Sequence, residues 1–501
     1  LLLFLLGHVS FMNAQTEIPV HMGKDTVHSP FHFGVASGDP QSDGFVIWTC
    51  VDTLSQTPIS LNWEVSQEAD FSVPEASGTV LTSPEHQHTA KVRVTGLEAD
   101  ERYYYRFSLN DAVSAIGRGR KLPDATDSLT FAVASCSSVY SGYFNAYGRM
   151  AERDEIDFVV HLGDYIYDFV DEDEQVLVPD PFPQVPLSVD EWMDRHRYYL
   201  LDAELRELRR QHTWIHMWDN HDLKPDAPEE GAEAFYAYTA VEAAEDPLHL
   251  YRSYAFGQLA SLITADITLH RDVDQIGGEP SLLGTEQRNW LQEAYAQSDA
   301  TWRILGNQKM LGGWYTTGID PALLSLVPND GDVFDGNSWD GYPVSRDSLL
   351  GFFRAQEVVN NVVISGDAHI TMATDLIEDP YDAFAYDPLT GDGAVGVEFL
   401  PASISRGNLD EQEPLTIALH DTLIGINMQA NPHHLFNDFL GHGYGLLKVY
   451  PDSVVAEAWH CPILEPSDDE EQVVRLKCLS GSGHWSRDVL TTVEEKNRAA
   501  T

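Results

Sequence analysis

The amino-acid sequence predicts an α/β fold that is preceded by an all-β sandwich domain. Residues 31–122 contain short runs of alternating apolar and polar residues, separated by Gly, Pro and Asp turns, which is typical of a β-sandwich. From Leu129 onward, apolar strand-like runs alternate with helical segments, as in an α/β domain. Four of these apolar runs end in residue types that bind metal ions, and together they indicate one polynuclear metal site.

Length and charge limit the class of protein. The chain has 501 residues, enough for two domains, and a net charge of −49. A surface this acidic repels phosphate backbones, so nucleic acid is excluded as the main partner. The apolar run at residues 1–6 predicts a signal-peptide remnant over residues 1–15, and no later stretch is long enough to span a bilayer. The sequence therefore predicts a periplasmic or extracellular protein.

The first predicted domain covers residues 31–122. Alternating runs at 59–65 and 91–94 predict strands, and the aromatic run Tyr103–Arg106 resembles the tyrosine-corner region of immunoglobulin- and fibronectin-like sandwiches. Residues 122–128, rich in Pro, Asp and Thr, predict a linker. The α/β domain is predicted over 127–465, and residues 466–501 are predicted to form an acidic C-terminal tail.

Two helices are predicted within the α/β part. Ser188 and Glu191 form a capping box that opens a helix predicted to run to about Arg210. A second helix is predicted over 285–298, followed by a strand at 302–305. Cys461 and Cys478 lie close in the sequence and could form a disulfide in an oxidising compartment.

The ends of four strands carry the candidate ligands. Each strand is a short apolar run, and polar residues follow it directly: Cys136 after 129–135, Asp164, Tyr167 and Asp168 after 158–162, Asp219 to Asp222 after 213–218, and Asp367 and His369 after 362–365. Because open α/β sheets hold ligands at the carboxyl ends of their strands, we expect these side chains to lie together.

The residue types indicate two different cations. Asp164 is the predicted bridge, because two close cations need a shared carboxylate. A thiolate at Cys136 and a phenolate at Tyr167 favour a redox metal such as iron, and His369 offers an imidazole. Oxygen ligands at Asp367, Asn220 and Asp168 suit a hard cation such as calcium or magnesium.

These assignments have structural alternatives. Cys136 could be an inert buried thiol, Tyr167 a packing aromatic and Asn220 only a turn former. For catalysis, His221 is predicted to protonate a leaving oxygen or to bind a phosphoryl group, paired with its neighbour Asp222. His221, Asp222 and Asp164 are thus the candidate catalytic residues.

Beyond single motifs, the order of motifs between residues 31 and 460 resembles the PhoD-type alkaline phosphatases and phosphodiesterases. The motifs that carry the resemblance run from the sandwich domain to the last strands, and are Phe33–Pro40, Val46–Thr49, Ser135–Cys136, Gly163–Tyr167, Trp218–His221, Trp290–Leu291, Asn307–Gln308, Trp339–Pro343, Gly366–His369, Asn431–His433 and Gly443–Tyr444. Asn220 stands where this family often has Asp, and Gln308 receives no metal role.

The resemblance implies a calcineurin-like metallophosphatase α/β sandwich with an iron(III)–calcium site. It implies that iron is held by Cys136, Asp164, Tyr167 and His369. It further implies that Asp164, Asp367 and Asn220 face calcium. The expected function is a secreted hydrolase of small phosphate esters. The alternatives are a hydrolase of a related sulfate or phospholipid ester, and a non-catalytic calcium-binding surface protein.

Overall fold

The computed structural model describes residues 22–98, 102–170, 181–182, 184–272, 274–315, 336–409 and 417–486. The predicted signal-peptide remnant and the part of the predicted tail beyond residue 486 lie outside the described residues. No helix in these ranges is both long and apolar enough to cross a membrane.

The N-terminal part is a β-sandwich. Its strands are β1 (Val35–Gln41), β2 (Gly44–Cys50), β3 (Ser60–Ser66), β4 (Ala76–Leu81), β5 (Thr89–Val94), β6 (Tyr103–Leu109), β7 (Ala112–Val113) and β8 (Gly117–Gly119). One sheet has the order β4-β3-β6-β7, with β8 paired to β6. Tyr103, Tyr105 and Phe107 alternate along β6 and fill the core of the sandwich, as the strand period requires.

The other half of the sandwich belongs to a larger sheet. Strands β9 (Leu129–Ala134), β10 (Phe158–His161), β11 (Thr213–His216), β21 (Gly443–Tyr450), β22 (Ser453–His460) and β23 (Glu471–Leu479) complete nine strands in the order β23-β22-β21-β9-β10-β11-β1-β2-β5. Strands β1 and β11 pair in parallel, with Ser37 opposite Thr213 and Gly38 opposite Trp214. A hydrogen-bonded sheet therefore connects the two predicted domains, in addition to the predicted linker.

A second, seven-stranded sheet faces the first. It contains β12 (Arg252–Phe256), β13 (Ala260–Thr264), β16 (Trp302–Gly306), β17 (Asn361–Ile364), β18 (Thr371–Asp375), β19 (Val397–Leu400) and β20 (His434–Asp438), in the order β12-β13-β16-β17-β19-β18-β20. The short strands β14 (Gln275–Ile276) and β15 (Glu279–Pro280) form a separate hairpin.

Helices cover the outer faces of the two sheets. They are α1 (Asn145–Ala151), α2 (Val189–Tyr199), α3 (Ala203–Gln211), α4 (Glu229–Tyr238), α5 (Gly284–Gln297), α6 (Pro343–Ala355) and α7 (His420–Ala430). One apolar core lies between the sheets, where Phe131, Val160, Leu262 and Ile304 are fully buried. Separate clusters lie under α1 to α4 and under α5 and α6. The predicted α/β sandwich is confirmed.

Of the two helices predicted in the α/β part, one is divided in two and the other is confirmed. The helix predicted from Ser188 to Arg210 is interrupted after Tyr199, because the Asp202 carboxylate accepts a hydrogen bond from the Leu205 N–H (2.8 Å) and caps a new helix, α3. The helix predicted over 285–298 is confirmed as α5.

The candidate disulfide is also not formed, since Cys461 and Cys478 are both free and buried. Cys478 is paired with Val454 near the start of β22, whereas Cys461 follows the end of that strand. Seven residues of extended strand separate the two places by about 24 Å, at about 3.4 Å per residue. No disulfide can bridge that distance.

Candidate metal centre

The carboxyl ends of the central strands of both sheets meet at one edge of the sandwich. A Cβ added to Gly306, at the end of β16, would lie 3.4 Å from Cδ2 of Leu162, and one added to Gly366 would lie 2.7 Å from Oγ of Ser135. A Cβ added to Gly163 would lie 2.7 Å from Cβ of Asp219, so the loops that follow β9, β10, β11 and β17 converge. This geometry brings the strand-end residues close to one another.

The backbone turns sharply at four of the candidate ligands. Cys136, Asp164, Asp367 and His369 all have left-handed φ angles, of 57°, 52°, 64° and 60°. Each such residue costs of order 1 kcal/mol or more, and the conformation persists only where the surroundings enforce it. Hydrogen bonds supply that enforcement: the Cys136 N–H donates to the Gly163 carbonyl (3.1 Å) and the Ser137 N–H to the Asp164 carbonyl (2.9 Å).

The first ligand cluster combines a thiol, a carboxylate, an imidazole and a phenol. The ligand atoms of Cys136, Asp164 and His369 all lie within 4.8 Å of one another. The Tyr167 hydroxyl donates to Oδ2 of Asp164 (3.1 Å) and lies 3.5 Å from Nε2 of His369. Nδ1 of His369 contacts the Gly407 carbonyl (2.8 Å). That contact makes Nδ1 the donor and leaves the Nε2 lone pair facing the cluster.

The second ligand cluster contains only carboxylates. Oxygens of Asp164, Asp219 and Asp367 lie within 4.8 Å of one another, so Asp164 belongs to both clusters. The Thr268 hydroxyl donates to Asp219 (2.5 Å) and fixes its orientation. Asn220, the predicted ligand, lies one residue farther along and is partly exposed; its metal role remains a prediction.

Burial sets the charge state of the first cluster. It raises the pKa of the Cys136 thiol and of the Tyr167 phenol well above their usual values, and the Asp164 carboxylate raises both further. Both groups are therefore protonated in the metal-free protein. A cation at this place must displace their protons, so binding should release protons and strengthen as the pH rises.

His221 stands at the rim of the centre as a candidate acid. Its backbone N–H donates to Oδ1 of Asp164 (3.2 Å), and its Nδ1 lies 2.8 Å from Oδ1 of Asp168. Burial lowers the pKa of His221, but Asp164 and Asp168 outweigh that effect and raise it to about 9. Its ring packs against those of Tyr167 and Phe169, with centroids 4.4 and 5.2 Å away.

The partner of His221 differs from the predicted one. The sequence paired His221 with Asp222, whereas the structure pairs it with Asp168. The buried Asp222 carboxylate instead accepts the backbone N–H groups of Ile166 (3.0 Å) and Asp219 (2.9 Å). Adjacent residues on a turn point in different directions, so Asp222 ties the β10 and β11 loops together.

The sequence placed Asp219 with the other polar residues at a strand end but gave it no ligand role. Two further residues of the centre, Lys309 and Arg406, were missed. Lys309 follows β16, is almost fully buried, and its Nζ lies 2.5 Å from Asp367 and 3.7 Å from Asp219. The Arg406 guanidinium lies 4.9 Å from the centre of the Tyr167 ring. No sequence pattern pointed to Arg406.

Gln308, next to Lys309, has a positioning role. Its Nε2 donates to the Trp218 carbonyl (2.8 Å), and its Oε1 accepts from the Ile267 N–H (3.1 Å). These bonds hold the loop after β11, and hence Asp219, in place.

Comparison with known proteins agrees with this geometry. Residues 131–458 match the family described as PhoD-like phosphatase, and residues 16–123 match the N-terminal domain of PhoD-like phosphatases. The chain is 30% identical to the alkaline phosphatase D of Bacillus subtilis (strain 168) over 464 residues, 82% of this chain and 75% of that protein. It superposes on a solved structure of PhoD with a TM-score of 0.79 and 26% identity, covering 93% of this chain and 92% of the other.

Lys309 provides a test of the carboxylate cluster. Its ammonium group contacts two of the three carboxylates and should compete with a cation there. We expect Lys309→Met to raise the affinity of chelator-treated protein for Ca²⁺ by about tenfold or more, since like charges a few ångströms apart repel strongly in a buried site. Calorimetric titration measures the change. Lys309→Arg retains the charge and is the control; unchanged or weaker binding in Lys309→Met would contradict the competition.

Proposed function

Because this chain belongs to the PhoD-like phosphatases and is a phosphoric ester hydrolase, we propose that it cleaves small phosphate esters at a dinuclear metal centre. The observation that carries the proposal is the shared position of Asp164 in two ligand clusters of different chemistry. Cations held there would polarise phosphate oxygens and lower the pKa of a bound water. Membership of a family of phosphatases argues against the non-catalytic calcium-binding alternative. The sulfate-ester and phospholipid-ester alternatives differ from the proposal only in the substrate.

The two clusters support two different cations. The cluster of Cys136, Tyr167 and His369 around Asp164 offers sulfur, phenolate and imidazole donors, which suit iron(III). The cluster of Asp164, Asp219 and Asp367 offers only oxygen, which suits calcium, with Asn220 as a further candidate ligand. Asp219 is thus added to the calcium ligands that the sequence predicted.

We assign the leaving-group proton to His221. Asp168 accepts a hydrogen bond from Nδ1–H of the imidazolium, which orients the ring and leaves the Nε2 proton available for transfer. Asp222 acts in this proposal as a positioning residue, because its carboxylate holds the backbone on both sides of the site.

Two positively charged side chains also border the metal centre. Lys309 contacts Asp367, and Arg406 lies over Tyr167. In the proposed reaction they stabilise the negative charge of the phosphoryl oxygens. The periplasm or extracellular medium is the proposed location; the apolar run at residues 1–6 supports it.

Replacing the shared carboxylate tests the proposal directly. Asp164→Asn should lower kcat for a phosphomonoester and a phosphodiester by at least about a hundredfold, because it removes about 2.7 kcal/mol or more of transition-state stabilisation. The exposed Asp226→Asn in the loop after β11 is the matched control and should keep full activity. Near-normal kcat in a folded Asp164→Asn variant, checked by circular dichroism, would refute the shared-carboxylate mechanism.

Substrates with different leaving groups test whether His221 is the general acid. His221→Ala should lower kcat/KM for an alkyl phosphate by about a hundredfold and that for a nitrophenyl phosphate much less, because general acids matter most for poor leaving groups. Asp168→Asn lowers the pKa of His221, so the alkaline limb of the alkyl phosphate profile should move to lower pH. Equal losses on both substrates would reassign His221 to phosphate binding or structure.

The visible absorption spectrum of the purified protein tests whether the centre holds iron(III). Phenolate and thiolate donate electrons to iron(III), so the purified enzyme should show a visible absorption band that bleaches with a reductant. Tyr167→Phe should shift or remove part of the band, and Cys136→Ser should lower the iron content measured by elemental analysis. Zinc has a filled d shell and gives no such band. Fully active, colourless, zinc-loaded protein would exclude iron while leaving the phosphatase proposal intact.

A further inference from the structure

A second polar cluster lies buried beneath the metal centre, between the nine-stranded sheet and helices α2 to α4. It contains three histidines, His161 on β10, His196 on α2 and His216 on β11, together with Tyr165 and Arg209. All five side chains are at most 5% exposed. The ring of Tyr165 lies at the middle, with centroid distances of 5.3, 6.1 and 5.1 Å to His161, His196 and His216.

Many polar atoms of this cluster have no hydrogen-bond partner. Both ring nitrogens of His196, both of His216, Nδ1 of His161, and Nε and Nη1 of Arg209 are buried without one. The Tyr165 hydroxyl lies beside the guanidinium without a well-formed hydrogen bond to it. Each atom left unsatisfied would lower the folding equilibrium constant by roughly tenfold. Buried polar atoms at this density indicate a bound group.

The charge of the cluster decides between water and an ion. The Arg209 guanidinium donates from Nη2 to the Tyr238 carbonyl (2.7 Å) and lies 4.5 Å from the centre of the Trp48 ring. Among the residues that the structure describes, no carboxylate lies within 4.0 Å of it. Burial raises the pKa of Tyr165, and the buried carboxylates of Asp222 and Asp202 raise it further, but neither carboxylate forms an ion pair with Arg209. Water would satisfy the hydrogen bonds but leave the guanidinium without a direct counter-charge, which is the costlier defect.

The histidines are suited to the same occupant. Burial lowers the pKa of His161 and of His196 to about 3, and it also lowers the pKa of His216 well below its usual value. The positive charge of Arg209 contributes to the lowering at His196 and His216, so the guanidinium lies near both rings. Neutral imidazoles each offer one N–H donor. The arginine, imidazole and phenol donors gathered around Tyr165 suit a small anion and repel a metal cation.

We propose that this cluster binds a halide ion, in nature chloride, at a site formed by Arg209, His196, His216 and Tyr165. A monatomic anion suits a closed cluster in which every side chain is buried. The ion would compensate the positive charge of Arg209 and accept hydrogen bonds from the unpartnered N–H and O–H groups.

Its place in the fold gives the ion a structural role. Tyr165 immediately follows Asp164, and His216 lies three residues before Asp219. An ion bound to both residues connects the ends of β10 and β11, which carry carboxylates of the metal centre. Chloride should therefore stabilise the whole protein.

The first experiment measures thermal unfolding of the full chain against chloride at constant ionic strength, with gluconate as the replacing anion. Gluconate is too large for the cluster, and constant ionic strength removes the general salt effect on a protein of this charge. We expect chloride to raise Tm by about 2 °C or more at saturation. Arg209→Met should abolish this dependence. Arg210→Met, at the neighbouring residue whose guanidinium pairs with Glu207 on the surface, should retain it.

The second experiment needs no variant. Crystals of the unaltered protein grown in sodium bromide should show an anomalous scattering peak within hydrogen-bond distance of Arg209 and at least one of the two histidines. Only water molecules in the cluster, with no bromide peak, would overturn the proposal. A chloride response that persists in Arg209→Met would overturn it as well.

Discussion

The centre depends on one residue, Asp164, and on the left-handed turn that places it. Its carboxylate is within reach of a thiol, a phenol and an imidazole on one side and of two carboxylates on the other. Because the residue belongs to both clusters, any movement of the β10 loop changes both at once. The loop is correspondingly held by the Asp222 carboxylate and by the backbone of the loop after β9.

Sequence reasoning reached the fold class and the strand-end positions, because both depend on local periodicity. Four apolar runs followed by polar residues are visible without coordinates, and parallel strands bring their ends together. The pairing of His221 with Asp168, by contrast, depends on side-chain directions in two loops. Lys309 and Arg406 were missed for a related reason. Their neighbours come from distant parts of the chain, and nothing local distinguishes them from surface cations.

The same limit explains the errors in secondary structure and cysteine pairing. The helical periodicity continues through residues 200–202, so only the capping contact of Asp202 reveals the break. Cys461 and Cys478 are close in sequence, but they lie at opposite ends of an antiparallel ladder. Proximity along the chain is a poor guide to distance wherever an extended strand intervenes.

The nine-stranded sheet has a consequence for how the protein is made. Its ligand-bearing strands β9, β10 and β11 are flanked by strands from both ends of the chain: β1 pairs with β11, and β21 with β9. Ser37 and Thr213 are 176 residues apart, and Leu129 pairs with Val449. During synthesis the sheet therefore cannot close until nearly the whole chain has left the ribosome. Until then, the edges of the parallel strands are open to wrong pairing, so slow, chaperone-assisted folding is expected of this topology.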